Sequence, residues 1–257
     1  MTLPLVNLWK ERSLIFYFFL INLKIFFKKT SFGLLWAALM PTLLFFFFYV
    51  LFSSIGLSSK DDFAMYLFVG IVFYFVFAEG TLWGLSSVYK NYLLLTSCKI
   101  KSELFPVVST STSAIFLGIG TGVLFLFAPI FNHQVSLSWA LLPLPMLLLL
   151  GLILGLSYIL SILYNFYKGT RYFWQMIVFA LFFITPIFWY LDDATGFAFM
   201  AHQVNPLGQV TEIAHNLILN NIPSFAQWIH ATLLVVIILF SGYFFFKKFE
   251  KNLREKM

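Results

Sequence analysis

The sequence predicts an all-α integral membrane protein, and three observations predict it. Of 257 residues, 61% are apolar and only 10% charged, where a soluble domain carries about 25% charged residues. Six stretches are long and apolar enough to cross a bilayer, and the Lys and Arg residues fall almost wholly into alternate loops. A mean hydropathy of +0.92 agrees. A soluble enzyme, a disordered tail and a nucleic-acid-binding domain are excluded at this step. One cysteine, Cys98, forms no internal disulfide, so packing alone is expected to hold the fold. The N-terminal MTLPLVNLWKERS shows no cleavable signal pattern, so the first span is expected to be retained.

A span needs about 20 mostly apolar residues to cross about 30 Å of hydrocarbon. Residues 34–57, 63–87, 107–131, 137–163, 173–190 and 228–246 qualify. Their apolar runs are continuous rather than alternating, which selects helices over a barrel. Fifteen of the 16 Lys and Arg lie before span one, between spans two and three, between four and five, or after six. The sixteenth, Lys60, lies beside Asp61 and Asp62, and the connection after span five carries Asp192, Asp193 and Glu212 with no base. Basic loops stay inside, so both termini are expected to be cytoplasmic. The whole of 1–257 then reads as a single transmembrane domain. Residues 1–33 form an amphipathic interface helix, 34–190 spans one to five, 191–227 a re-entrant outer gate, 228–246 span six, and 247–257 a basic cytoplasmic tail.

The segment before span one places Lys10, Tyr17, Lys24 and Lys28 on one helical face, with Leu14, Ile15, Phe18, Ile25 and Phe26 covering much of the rest. It can anchor on anionic lipid or dock a cytoplasmic partner, and one helix can do both. In the outer connection, Asn205 can cap and Pro206 can start a helix. Val210, Ile213, Ala214, Leu217 and Ile218 follow at helical spacing. Two short helices that dip into the outer leaflet and return are expected, ending before Asn220, Asn221 and Pro223.

The sequence holds no phosphate-cradling G-x-x-x-x-G-K-[ST] loop and no H-E-x-x-H. Its histidines, His133, His202, His215 and His230, lie toward the predicted outer side without ligand spacing. His202 and His215 can meet in space, but no metal site is expected. Gly118, Gly120 and Gly122 sit inside a span, so with Gly151 and Gly155 they read as close helix packing rather than nucleotide binding. Glu79 is the sole charge within a span, about 24 Å below its outer end. Three roles are open to it: an ion pair with a cytoplasmic-side base, pore lining, or proton coupling.

The aromatic content is high, with 35 Phe, 12 Tyr and 7 Trp. Many rings must face lipid, and Trp36, Trp83, Trp139, Trp189 and Trp228 sit where interface anchors sit. Tyr49, Tyr66, Tyr74 and Phe75, with Glu79, are the candidates for lining a channel. Between spans two and three, Lys90, Lys99 and Lys101 hold the loop at the surface, and Tyr92, Leu93, Leu94 and Leu95 supply an apolar ridge for a partner's groove.

Read in order, these pieces resemble the permease subunit of polysaccharide-exporting ABC transporters, the exporters of O-antigen, capsule and teichoic acid. The likeness runs through KERSLIFYFFLINLKIFFKKTSFGLLWAALMP (10–41), KIKSELFPVVS around Phe105 and Pro106, TPIFWY (185–190), NPLGQVTEIAHNLIL (205–219) and YFFFKKFEK near the C-terminus. After span four, where that family commonly has Phe-Arg-Asp, this chain has Phe166, Tyr167, Lys168, Gly169, Thr170 and Arg171 and lacks the aspartate. The resemblance implies a homodimer bound to two separate ATPase subunits, enclosing a channel for a polymer on an undecaprenyl diphosphate lipid in the bacterial inner membrane. It implies no cofactor on this chain, ATP and Mg residing on the partner. Contact with the ATPase would fall to Lys10, Arg12, Tyr17 and Lys24 of the N-terminal helix and to Tyr92, Leu94, Leu95 and Lys99. Gating of the exit would fall to the outer helices, with Asn205, Pro206, Ile213 and Leu217. The rival readings are export of a drug or simple lipid, a secondary transporter coupled through Glu79, and a membrane transferase built on Asp192, Asp193 and His202.

Overall fold

The structure is a computed structural model that describes residues 11–29, 33–54, 62–97, 100–191 and 195–256, with backbone alone for 26–29 and 252–256. Expectations resting on Lys10, Lys60, Asp61, Cys98, Lys99, Asp192 and Asp193 lie outside the described residues. Among those described there are helices and no strands. The α-helices are α1 (Arg12–Lys29), α2 (Trp36–Ser54), α3 (Phe63–Lys90), α4 (Tyr92–Ser97), α5 (Leu104–Ile130), α6 (Pro143–Phe166), α7 (Thr170–Ile184), α8 (Phe197–Val204), α9 (Pro206–Ile218) and α10 (Phe225–Lys256). Among the described residues five helical segments are long and apolar enough to cross a membrane: Gly33–Ser54, Phe63–Lys90, Leu104–Ile130, Leu137–Phe166 and Phe225–Lys251. The chain is a multi-pass membrane protein.

The fifth expected span, residues 173–190, is not one long helix. Its helix is Thr170–Ile184, and the chain becomes extended at Thr185 (φ −77°, ψ 136°). Pro186 is the cause, because its ring disfavours the helical conformation of the residue before it. After Thr185 the chain bends, with the Ile187 N–H donating to the Thr185 carbonyl at 2.8 Å, and this stretch is laid against α3 at Gly70, where an added Cβ would come within 3.0 Å of the Ile187 Cα. Its backbone finds a partner inside the protein, since the Tyr66 hydroxyl donates to the Trp189 carbonyl at 2.8 Å.

α3 is the central helix. In its most apolar stretch 78% of residues are buried, against 17% for α2 and 22% for α10. α5 and α6 pack along it, and α10 packs along α6. Lipid supplies little drive for apolar helices to associate, so close approach of backbones must do it. An added Cβ at Gly84 would strike Ser157, and one at Gly80 would come 2.6 Å from the Ser113 hydroxyl. Between α6 and α10 the backbones themselves meet: a Cβ on Gly155 would lie 2.8 Å from the Ile238 carbonyl oxygen, and one on Gly242 would overlap the Gly155 carbonyl. The glycine expectation therefore divides. Gly120, Gly151 and Gly155 do face a packed neighbour, but Gly118 and Gly122 look into open space. Several buried hydroxyls on α5 return their bonds to the helix, Thr112 to the Val108 carbonyl (3.1 Å) and Thr121 to that of Leu117 (2.8 Å), which meets those donors in a dry interior.

α1 differs from the expected two-faced helix. Phe16, Tyr17, Leu20 and Ile25 are all exposed, while Phe18 packs on Phe105 of α5 with centroids 5.8 Å apart. Its sequence puts apolar side chains on every face. The described Lys and Arg of the connections, Lys90, Lys101, Lys168, Arg171, Lys247 and Lys248, gather at one end of the bundle, hereafter the basic end. The four histidines gather toward the other.

Overpacking a tight contact costs about 1–3 kcal/mol, whereas open positions tolerate change within about 0.5 kcal/mol. Gly155→Val is therefore expected to lower the thermal midpoint of the purified protein in detergent by several degrees, and Gly118→Ala to leave it unchanged. Equal midpoints for the two variants would contradict the backbone contact.

Candidate functional site

Three places bring the expected site residues together. At the basic end, α4 forms a short helix in which no residue is fully buried. The expected ridge splits in two: Leu93 is 74% exposed, whereas Leu94 and Leu95 turn inward onto a cluster of Val88, Phe105, Tyr158, Ile162 and Phe246. The exposed anchor is thus Leu93. Sequence alone does not separate the three leucines, because α4 has only 6 residues and distant helices decide which side faces in. Tyr92 is half-buried beside them.

Behind α4 lies a network of charge. Glu103 is 2% exposed and pairs with Lys247 of α10 at 2.5 Å. Lys247 also reaches Glu250 at 3.0 Å, and the Ser102 hydroxyl donates to Glu250 at 2.5 Å. A buried carboxylate persists only when paired and hydrogen-bonded, so this clasp fixes the start of α5 to α10. Lys101 pairs with Glu11 at 3.3 Å and brings the start of α1 to the same place. Lys168 lies over the Tyr89 ring at 3.1 Å and the Tyr164 ring at 4.7 Å. Loss of water there lowers its pKa, and cation–π attraction compensates. The expected contact residues Arg12, Tyr17 and Lys24 all lie on α1, with Tyr17 61% exposed and Lys24 exposed.

The second place is one stripe of α3. Between Phe63 and Val88 the residues not buried are Tyr74, Phe75, Ala78, Glu79, Leu82 and Trp83, a single face at helical spacing. Trp83 hydrogen-bonds the Glu79 carboxylate, and the Arg171 charge acts on it from the start of α7. Of the expected channel-lining residues, Phe75 and Glu79 lie on this stripe. Tyr74 turns to α7, donating to the Val178 carbonyl at 3.1 Å. Tyr49 packs on Phe45 and Phe131. Tyr66 is 2% exposed and is stacked on His215 with centroids 3.7 Å apart. Trp83, read from the sequence only as an interface anchor, joins the stripe. Its i, i+4 spacing from Glu79 was the available signal.

The third place is the histidine end. Asn205 caps α9 as its sequence predicts, its side-chain oxygen accepting from the Leu207 N–H at 3.1 Å with Pro206 at the first turn. Its amide also donates to the Thr185 hydroxyl at 3.0 Å, tying α9 to the stretch after α7. The apolar face of α9 is seated in the bundle, with Ile213 1% and Leu217 0% exposed. The carbonyls at its C-terminus lack helical partners and are met from another loop: Ser138 reaches Leu217 at 2.6 Å, and His133 and Trp139 reach Ile218 at 2.7 and 3.2 Å. His133 in turn contacts Asp62 at 2.7 Å.

Between α8, α9 and α10 lies a cavity of about 260 Å³ lined by His202, Gln203, Gln209, Glu212, Gln227 and His230 among others. His202 and His215 do come into one cluster, but among the described residues no group of three His, Cys, Asp or Glu side chains can hold a metal ion. His215 lies 3.8 Å from Glu212. Gln209 escaped the sequence reading, and Glu212 and His230 entered it only as an outer-side carboxylate and histidine, although the three-residue spacing of Gln209, Glu212 and His215 puts them on neighbouring turns.

Burial lowers the His202 pKa. The nearby Glu212 carboxylate opposes that, and His230 and His215 reinforce it. The docked state therefore holds His202 neutral. The stability this contributes is complete above the ordinary histidine value of about 6.5 and is lost as pH falls below it. Exchange protection of the α8 and α9 amides, corrected for intrinsic rates, is expected to drop through this range, and His202→Gln to flatten the drop. A pH-independent wild-type profile would refute it.

The geometry first defines a class: a polytopic helical membrane protein with a short exposed helix at one end and a small helical cap at the other. No protein-family model matches the chain. Two curated relatives narrow the class. An O-antigen export system permease protein RfbA of Myxococcus xanthus is 22% identical over 186 residues, 72% of this chain and 72% of the relative. The protein of the same name in Klebsiella pneumoniae is 23% identical over 173 residues, 66% of each. The likeness to permease subunits of polysaccharide-exporting ABC transporters, read from the sequence, is borne out by both.

Proposed function

We propose that the chain is the membrane-spanning permease of an ABC exporter that moves a lipid-linked polysaccharide across the inner membrane. The cargo would be an O-antigen, capsule or teichoic acid polymer on undecaprenyl diphosphate. The observation that carries this reading is the pair of O-antigen export relatives aligned along most of the chain. In this reading the chain is a homodimer with two ATPase subunits. It performs no catalysis and holds no cofactor, and ATP and Mg are bound by the partner.

Six crossings fit the reading. α7 spans about 22 Å by helix rise, short of about 30 Å of hydrocarbon, and the irregular residues 185–190 after it would supply the remainder. α8 and α9 would then be the re-entrant outer gate, with Asn205 and Pro206 fixing its turn and Ile213 and Leu217 its seat. The basic end would be cytoplasmic, as would both termini. The stripe of Phe75, Glu79 and Trp83 would line the route, with flat rings against which sugars slide. Glu79 would be held by Trp83 and Arg171. Lys10, Arg12, Tyr17, Lys24, Tyr92 and Lys99 would surround the ATPase, Leu94 and Leu95 would brace α4 from behind, and Leu93 would enter the ATPase groove.

Deletion of the gene in its host is expected to leave lipid-linked glycan on the cytoplasmic face, restored by the wild-type chain only with a hydrolysis-competent ATPase. Normal surface glycan after deletion would refute the cargo, and export driven by a proton gradient without the ATPase would establish a secondary transporter.

An impermeant maleimide is expected to label Cys98 in inverted vesicles and not in intact spheroplasts. Labelling in spheroplasts would invert the topology.

Apolar anchors at an interface centre carry most of its energy. Leu93→Ser is therefore expected to weaken co-purification of the ATPase by about tenfold or more with unchanged thermal stability, whereas Leu94→Ser is expected to lower stability as well. Undiminished co-purification with Leu93→Ser would remove α4 from the interface and leave α1 as the docking element.

A further inference from the structure

We infer that α10 works as a lever that carries motion from the ATPase-facing end to the outer gate, with its fulcrum where Gly155 meets Gly242. The inference rests on the docking of an ATPase at α4 proposed above, and adds how the stroke reaches the other side of the membrane.

Four observations place the parts. First, α10 is one helix from Phe225 to Lys256, so it runs unbroken from the cap at the histidine end to the clasp at the basic end. Second, at one point it cannot slide or part from α6 without losing a backbone-to-backbone contact. An added Cβ on Gly155 would meet Ile238 and Leu239 main-chain atoms at 2.8 Å, and one on Gly242 would overlap Gly155. Third, its basic arm is gripped by charge. Lys247 pairs with Glu103 and Glu250, and Glu250 accepts from Ser102. Ser102 and Glu103 directly precede α5 and follow the segment that holds α4, so displacement of α4 pulls on Lys247. With Glu103 at 2% exposure, breaking this pair strands a buried charge, which makes the grip stiff. Fourth, the other arm ends at an open space. Gln227 and His230 face Gln209 and Glu212 of α9 across the 260 Å³ cavity, so this arm has room to swing against the gate. Just beyond it Ala231 and Val235 are packed at 0% and 3% exposure.

The arms are unequal. Gly242 to Lys247 is about 7.5 Å of helix and Gly242 to His230 about 18 Å, so a tilt about the glycine contact enlarges movement at the gate roughly 2.4-fold. A polar cavity beside the His202 Nδ1 and Glu212 Oε2 atoms, which make no hydrogen bond among the described residues, suits a surface that re-forms its contacts, because water can fill it in either position.

The test uses the assembled permease and ATPase in nanodiscs, in a Cys98→Ser background, with spin-label pairs read by pulsed dipolar spectroscopy. One pair, Val204→Cys with Ile229→Cys, spans the cavity. The other, Ser97→Cys with Lys251→Cys, spans the clasp. Vanadate trapping is expected to shift both distances, the cavity pair about twice as far or more. Lys247→Gln is expected to keep ATPase association and hydrolysis but lose the cavity shift, and the charge swap Glu103→Lys with Lys247→Glu to restore it. Ser102→Ala, a milder lesion, is expected to reduce the shift, and serves if Lys247→Gln does not assemble. A full cavity shift in either Lys247→Gln or Ser102→Ala overturns the lever while leaving the exporter reading intact. Failure of the wild-type chain to bring down the ATPase refutes that reading, and the lever falls with it.

Discussion

The close approach of α3, α6 and α10 at Gly80, Gly84, Gly155 and Gly242 is the constraint on which the rest of the structure depends. In lipid, apolar side chains have no water to escape, so association must come from contact area and from satisfied backbone groups. Glycine and serine pairs let α3 approach both α5 and α6 closely enough to be buried on all sides but one. What remains uncovered on α3 is a single stripe, and it carries the span's only carboxylate. The same close contact leaves α2 and much of α10 at the periphery, where exposed Phe and Leu side chains face the membrane at no cost.

Around that fixed centre, two further polar clusters lie at the two ends. Each end solves a different problem of unsatisfied groups. At the basic end a buried carboxylate is matched by Lys247, which ties together elements far apart in the chain. At the histidine end the C-terminal carbonyls of α9 are met by side chains of another loop, and a small polar cavity separates α9 from α10. The two ends therefore differ: an ion-paired join at one and an open polar cavity at the other.

Much of this was legible in the sequence because the signals were local or periodic. The apolar runs located α3, α5, α6 and α10, the separation of bases from histidines gave the two ends, and Asn205-Pro206 gave the start of α9. The break in the helix after Ile184 was foreshadowed by Pro186, but a continuous apolar run masked it. Where the outcome depended on contacts between distant residues, sequence reasoning failed. Leu93 was not separated from Leu94 and Leu95, since Tyr158 and Phe246 decide which of them turn inward. Tyr66 looked available to a channel and is instead packed on His215. The pairing of Glu103 with Lys247 crosses most of the chain and leaves no local pattern.

The central claim is that this chain provides the route and a partner ATPase the energy. It is tested most directly by reconstituting both into proteoliposomes with lipid-linked glycan extracted from the host, and counting glycan that becomes protected in the lumen. Protection that requires ATP, the ATPase and this chain together is the predicted result. Protection without ATP, or with the ATPase and no permease, would contradict it.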